Sequence, residues 1–449
     1  MASSNGDSQS AGSKLTVYCG HILSPKTFDQ YDEYIEGALV VNEQGILVDV
    51  GPRSPILSKH KAHETIDFGK CLLLPGFVDL HVHLVQIAQT GRSGDTLLGW
   101  LDKYIFPEEM RFKEKPHAQK LARWFFNELA KNGTTLGAVF TSIHSEATDV
   151  AFQTAAEFGS RVIMGKTMMD INSPDELTEK TAVSLQQSEA LCKKWHGYDS
   201  GRLLYAFTPR FAPTCSPDLM NGVSKLWKSQ PGTYMQTHLS ENLDEIRWVE
   251  DLFPKAANYL DVYGSHGLTG SNSLFAHAIH MSDDEISKLV HDDCGVAHCP
   301  SSNFFLKSGV FPYARMRKAG VNFGLGSDIA AGPEMSIMGV MKDASYIQPD
   351  LWMSPAELFY LSTLGGARAV NLHDKVGSLE PGKEADFIVV DPGAKTSVIA
   401  DVLDKPAHDI LSSLIYVGDD RMVAATYVRG RCIYRSEHLP TVKPAAVSR

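Results

Sequence analysis

The chain has no Cys-x-x-Cys pair. Its seven cysteines (Cys19, Cys71, Cys192, Cys215, Cys294, Cys299 and Cys432) are scattered over 449 residues, and an odd, dispersed set excludes both a disulfide framework and a cysteine zinc site. It has no block of Lys or Arg, and its formal net charge is −11. Without a basic stripe there is no electrostatic footprint for nucleic acid, so the expected partner is a small neutral molecule. No run approaches 18 uninterrupted apolar residues, which argues against a membrane span. The opening MASSNGDSQSAGSK lacks the apolar core of a signal peptide. Internal repeats and low-complexity tracts are absent. The remaining composition, 43% hydrophobic and 21% charged, is that of an ordinary globular protein. A cytoplasmic enzyme is the expectation.

Eight short apolar runs alternate with helical-looking segments. They are LLLPGFVDLHVH at 72, GTTLGAVF at 133, RVIMGKTMM at 161, LLYAFTPR at 203, TYMQTHL at 233, SLFAHAIH at 273, GVAHCP at 295 and VNFGLGSD at 321. Doubly buried parallel strands read as continuous apolar runs rather than alternating ones. Between them lie patterns such as HAQKLARWFFNELAKNG, residues 117–133, which ends on a plausible glycine cap. Eight strand-then-helix units predict an α/β fold, a closed (β/α)8 barrel over residues 71–375, with a doubly wound open sheet as the alternative. The flanks, 14–70 and 376–435, read as short strands joined by turns, and neither is long enough for a comfortable domain. Together they predict a small composite β-sandwich built from both chain ends, with loose tails at 1–13 and 436–449.

Barrel active sites sit at the C-terminal ends of the strands, so polar residues there are the candidates. The first strand ends in His81 and His83. Positions i and i+2 of a strand share a face, but 17 histidines in 449 residues give about 0.6 His-x-His pairs by chance, so the pair alone decides nothing. The fourth strand ends in Arg210, the fifth in His238 with Glu241 one turn on, the sixth carries His277, and the eighth ends in Asp328. Three histidines and an aspartate suit Zn²⁺ or Fe²⁺ with one position left for water. His81, His83, His238 and Asp328 are the candidate ligands. Glu241 is the candidate proton shuttle, and His277 could orient the water. Each has a plainer alternative: His277 as a packed residue, Glu241 in the first turn of a helix, Asp328 as a helix N-cap. The order of residue types along one barrel rim weighs against all of these together.

PGFVDLHVH, HLSE, the FAH of strand six, GSD at strand eight and the closing GSLEPGKEADFIVVD resemble, in that order, the signatures of the amidohydrolase superfamily. The resemblance spans about residues 14–435 and implies a barrel with a composite β-sandwich. Two-metal members carry a carboxylated lysine at the end of strand four, where this chain has Arg210; Lys166 lies on strand three. One metal per subunit is implied, which suits deamination of an aromatic ring. Among the mononuclear deaminases, LLGWLDKYIFPEEMRF, GKTMMD, RLLYAFTPRFAPT, HLSENLDEI and VAHCPSSNFFLKSG are similar to the guanine deaminases. That resemblance implies hydrolysis of guanine to xanthine and ammonia, in a homodimer. It implies that Gln86 and Arg210 hydrogen-bond the purine edge, that Phe211 packs on the ring, and that His238 and Asp328 also face the base. Glu241, His277 and Asp328 are the implied catalytic residues. Leu84-Val85 and Pro333-Glu334 depart from the family pattern and are expected to border the pocket. The alternatives are another heterocycle (8-oxoguanine, an adenosine derivative or a triazine) or a non-catalytic assembly protein on the same scaffold. The second would have lost ligands that are present here.

Overall fold

The two chain ends and the middle build separate sheets. In a computed structural model describing residues 14–93, 96–395, 401–437 and 439, the first four strands are β1 (Thr16–Pro25), β2 (Tyr31–Val41), β3 (Leu47–Pro52) and β4 (Glu64–Pro75). The middle of the chain supplies β5 (Phe77–His83), β6 (Thr134–Phe140), β7 (Arg161–Gly165), β8 (Thr167–Met168), β9 (Leu203–Pro209) and β10 (Tyr234–Leu239). It continues with β11 (Ser273–His277), β12 (Gly295–His298) and β13 (Asn322–Leu325). The end returns with β14 (Phe387–Val390), β15 (Val423–Val428) and β16 (Arg431–Arg435). The tail expected at 1–13 and all of 440–449 lie outside the described residues.

Each of the eight apolar runs contributes a strand to the barrel. The order β5-β6-β7-β9-β10-β11-β12-β13 is parallel throughout, and β8 is a short extension beside β9. β5, β6 and β9 are buried at every position, as strands covered on both faces must be. The Lys115–Lys131 helix starts and stops two residues before the expected bounds. Gly133 follows it at φ +79°, a backbone that glycine tolerates and other residues resist. Inside the barrel an apolar layer of Leu136, Ile163, Leu204, Tyr234 and Leu274 fills the lower half, so the barrel is a packed core with a site on top, not a pore. Tyr234 Oη donates to Val370 O at 2.8 Å beneath this layer. Above it, Gln236 Nε2 donates to Val139 O at 3.0 Å and Thr208 Oγ1 at 3.1 Å.

The first expected run is divided between two sheets. Leu72–Pro75 ends β4 and pairs antiparallel with β14, and only from Phe77 does the chain enter the barrel. The end sheet therefore runs five residues past the expected boundary at 70. Both halves are apolar and buried, so nothing but Gly76 marks the junction. A Cβ on Gly76 would lie 2.0 Å from Thr135 Oγ1, so the crossing needs a glycine. The expected sandwich from both chain ends is built on one seven-stranded sheet, β16-β15-β14-β4-β1-β2-β3, with a register break between Cys19 and His21. Tyr18 of β1 packs against Phe387 and Tyr427 of β14 and β15, with ring centroids 5.0 and 5.3 Å apart. The segment 376–435 is not wholly β either. Its Ala407–Val417 helix buries Ile410, Leu411 and Leu414 in the outer core of the barrel.

One ionic cluster ties the end sheet to the barrel. The fully buried Arg161, first residue of β7, donates Nε and Nη2 to the two oxygens of Asp386 at 2.7 and 3.0 Å and Nη2 also to Glu384, which Arg429 holds from the other side. Among the described residues no helix is long and apolar enough to cross a membrane.

Candidate active site

The strand ends converge as the one-rim argument requires. His81 and His83 close β5, with their Nε2 atoms 3.1 Å apart. His238, near the end of β10, brings its Nε2 to 3.3 Å from that of His83. Its Nδ1–H donates to Arg210 O at 2.6 Å, which fixes the tautomer and leaves Nε2 unprotonated and facing inward. Asp328, three residues past β13, places Oδ1 3.3 Å from Nε2 of both His81 and His83. Four of the six separations among these donor atoms are 3.1–3.3 Å, close to the roughly 3.3–3.4 Å between ligands of a tetrahedral zinc bound at about 2.0–2.1 Å. His81, His83 and His238 form one group close enough to share a cation, and His81, His277 and Asp328 a second. The donor set thus fits a divalent cation.

Electrostatics agree with that fit. Burial lowers the pKa of His81 to about 3, against the pull of Asp328, and drives His83 and His238 down as well. All three imidazoles therefore favour the neutral form that cation binding requires. Burial works against ionisation of Asp328, but His81 and His83 hold it well below the usual carboxylate range.

Glu241 and His277 stand beside this cluster. His277 Nε2 lies 3.5 Å from Glu241 Oε2 and 3.7 Å from Asp328 Oδ2, and it has no hydrogen-bond partner of its own. Its Nδ1 is held by Asn303 Oδ1 at 3.0 Å, while Ser308 Oγ donates to Glu241 Oε1 at 3.3 Å. One segment after β12 therefore sets both groups. Burial, reinforced by the charge of Asp328, raises the Glu241 pKa to about 8, in the range useful to a proton shuttle. The helix-start reading of Glu241 does not hold, because Asn242 is the cap of the Leu243–Leu252 helix. Nor is Asp328 an N-cap: no helix follows it until Ile337. Ser240, His277 and Asp328 all have positive φ, at 47°, 70° and 49°, so backbone strain is concentrated on this rim.

The cavity above is bounded by Gln86, Trp100, Leu101, Arg210 and Phe211 together with His83, His238, Glu241, His277 and Asp328. The Phe211 and His238 rings are steeply inclined, at 71°, with centroids 6.5 Å apart. All the expected contact residues therefore meet in one place. Glu109 is one that sequence reasoning missed. It accepts Arg210 Nη1–H at 2.5 Å and Gln86 Nε2–H at 3.4 Å. Asn303, Ser308 and Asp79 were missed too; Asp79 takes the N–H of His81 and both N–H and O–H of Ser327, clamping β5 to the residue before Asp328. Leu84-Val85 and Pro333-Glu334 do not border the cavity as expected. Leu84 and Val85 point into the outer core, and Glu334 caps the backbone of Ser336 at 2.8 Å. Lys166 is buried in an ion pair with Glu179, away from the cluster.

Comparison with known proteins gives concordant results. The amidohydrolase family matches residues 72–433. The chain is 39% identical to guanine deaminase of Escherichia coli (strain K12) over 420 residues, covering 92% of this chain and 94% of that one. The solved structure of E. coli guanine deaminase superposes with a TM-score of 0.90 at 36% identity, over 94% and 99% of the two chains. Guanine deaminase from C. acetobutylicum, solved with guanine bound in its active site, gives a TM-score of 0.86 at 35% identity over 94% and 100%. By its sequence, its barrel and the side chains at its rim, this chain belongs to the amidohydrolase family.

Proposed function

We propose that the protein is a guanine aminohydrolase, a hydrolase acting on a carbon–nitrogen bond that converts guanine and water to xanthine and ammonia. The observation that carries this reading is a single cavity lined by Glu241 and His277, by His83, His238 and Asp328 of the cluster that fits a cation, and by a polar pair, Gln86 and Arg210, suited to a purine edge. The relationship to guanine deaminases over nearly the whole chain supports it.

His81, His83, His238 and Asp328 would hold one Zn²⁺ or, with the same ligands, Fe²⁺. Such a cation supplies charge that lets a water lose a proton at about pH 7 rather than about 15.7. Arg210 and Gln86 orient the purine, and Phe211 covers its ring. Glu241 takes a proton from the attacking water and delivers it to the ring nitrogen beside C2. His277, held by Asn303, directs the oxygen toward C2. The proton remaining on the added hydroxyl then passes through Asp328 and Glu241 to the amine, the C2–N bond breaks as C2=O forms, and ammonia leaves. His238 and Asp328 also border the base. We further propose a cytoplasmic homodimer. The seven unpaired thiols are consistent with a reducing compartment, and the exposed Tyr346 and Trp352, both stacked on Tyr416, supply an apolar face.

The test is direct. Zinc-loaded protein is mixed with guanine, and both ammonia and the ultraviolet change to xanthine are followed. Both signals should appear together and vanish after chelation. Faster turnover of 8-oxoguanine, an adenosine derivative or a triazine would replace guanine as the substrate, and absence of bound metal after reconstitution would leave an assembly protein.

A further inference from the structure

Glu109 lies in the short Phe106–Met110 helix and is 3% exposed, although it does not line the cavity. Its two oxygens are shared out: Oε2 takes Nη1–H of Arg210 and Oε1 takes Nε2–H of Gln86. A carboxylate only accepts hydrogen bonds, so the NH₂ end of the Gln86 amide must face Glu109. That leaves Gln86 Oε1 on the other side, buried and without a partner, in a residue that borders the cavity. Arg210 is held in the same way. Its Nη1 is committed to Glu109, its Cζ lies 5.3 Å from the centre of the Phe106 ring, and its guanidinium has no other hydrogen-bond partner among the described residues. Gln86 and Arg210 both line the cavity, so a base bound against them would meet an amide oxygen as acceptor and a guanidinium as donor, and a residue outside the cavity decides which is which.

We propose that Glu109 is the positioning residue that sets the base specificity of this pocket, by fixing Gln86 as acceptor and Arg210 as donor toward a ring that carries N–H beside C=O. The proposal rests on the guanine reading. Guanine presents N1–H as a donor next to O6 as an acceptor, which matches both. In 2,6-diaminopurine the same two positions are reversed: N1 accepts and the 6-amino group donates. That base leaves both Gln86 Oε1 and the Arg210 donors facing like groups, and a site built around such hydrogen bonds rejects mismatches strongly. The carboxylate also balances the charge of Arg210, keeping the edge suited to a neutral base.

The experiment compares kcat and KM for guanine and for 2,6-diaminopurine, followed by ammonia release, in zinc-loaded wild type, Glu109→Gln and Glu109→Asp. The amide that Glu109→Gln introduces can donate to Gln86 Oε1 and so permits the Gln86 amide to turn over. Wild type should prefer guanine in kcat/KM by about 10³-fold. Glu109→Gln should lose about tenfold or more of that preference, chiefly through a higher KM for guanine, with metal content unchanged. Glu109→Asp keeps an ionised acceptor and should keep the preference within about threefold, which also covers a Glu109→Gln variant that fails to fold. Equal losses on both bases in Glu109→Gln, or a preference lost in Glu109→Asp, overturn the proposal. Wild type that leaves guanine untouched overturns the functional reading and this proposal together; wild type that deaminates guanine beside an unaltered ratio in Glu109→Gln overturns this proposal alone.

Discussion

Replacing Glu241 with Gln should make the metal-free protein more stable while removing its activity. Gln is nearly isosteric, and its Oε1 can keep the hydrogen bond from Ser308. What it removes is a carboxyl group that burial and Asp328 push from the ordinary 4.5 to about 8. At pH 7 the unfolded chain ionises this group and the folded chain keeps it protonated, a difference worth about 3 kcal/mol against folding. Because the folded-state pKa is raised, the penalty is absent below pH 4.5, grows through neutrality and is complete above about 8. The variant should therefore melt a few degrees higher at pH 7 in the presence of chelator, and the gap should shrink to about 1 kcal/mol or less by pH 5. With metal restored, turnover should fall by about 10²–10⁴, the usual share of a positioned acid–base group. Thermal melts of the chelated proteins across pH 5 to 8, paired with ammonia release at pH 7, measure both. A variant that is less stable, or more stable by the same amount at every pH, would refute the electrostatic account. Activity near wild type would remove Glu241 from the mechanism.

Arg161→Met should cost about 3–5 kcal/mol in urea denaturation, because it strands Asp386 in a buried site. The double change Arg161→Met with Asp386→Leu should recover most of that loss, and no recovery would mean that the ion pair is not what joins the two sheets. Asn303→Ala should lower kcat with guanine by about 10-fold or more while leaving metal content unchanged, since Asn303 holds His277 and no ligand. A change confined to KM would show that His277 needs no such support.

Much of this site could be read from the sequence because strand periodicity and barrel geometry act on particular positions. His81 and His83 share a face by the period of two, and the C-terminal rim gathers them with His238 and Asp328 from distant strands. Glu109 escaped for a physical reason. In FPEEMRF it is one of two adjacent carboxylates near an arginine, a pattern that usually marks a solvated helix face. Its burial depends on how the segment after β5 folds over the rim, which no local period encodes. The same holds for Leu72–Pro75, where one apolar run serves two sheets. Leu84 and Val85 differed from expectation because chain neighbours of Gln86 in a 3-10 turn need not face the way it does.

The seam between the first and last barrel strands has a consequence for assembly. It is closed by hydrogen bonds from Asp328 N–H to His81 O at 2.8 Å and from His83 N–H to Ile329 O at 3.3 Å, and three of the four candidate ligands, His81, His83 and Asp328, sit at that seam. A polypeptide still emerging from the ribosome holds His81 and His83 long before Asp328 exists, so no partial barrel can offer the full coordination set. A cation that binds all four side chains would then favour only the finished ring. Zinc capture in a pulse experiment would serve as a stopwatch for barrel closure.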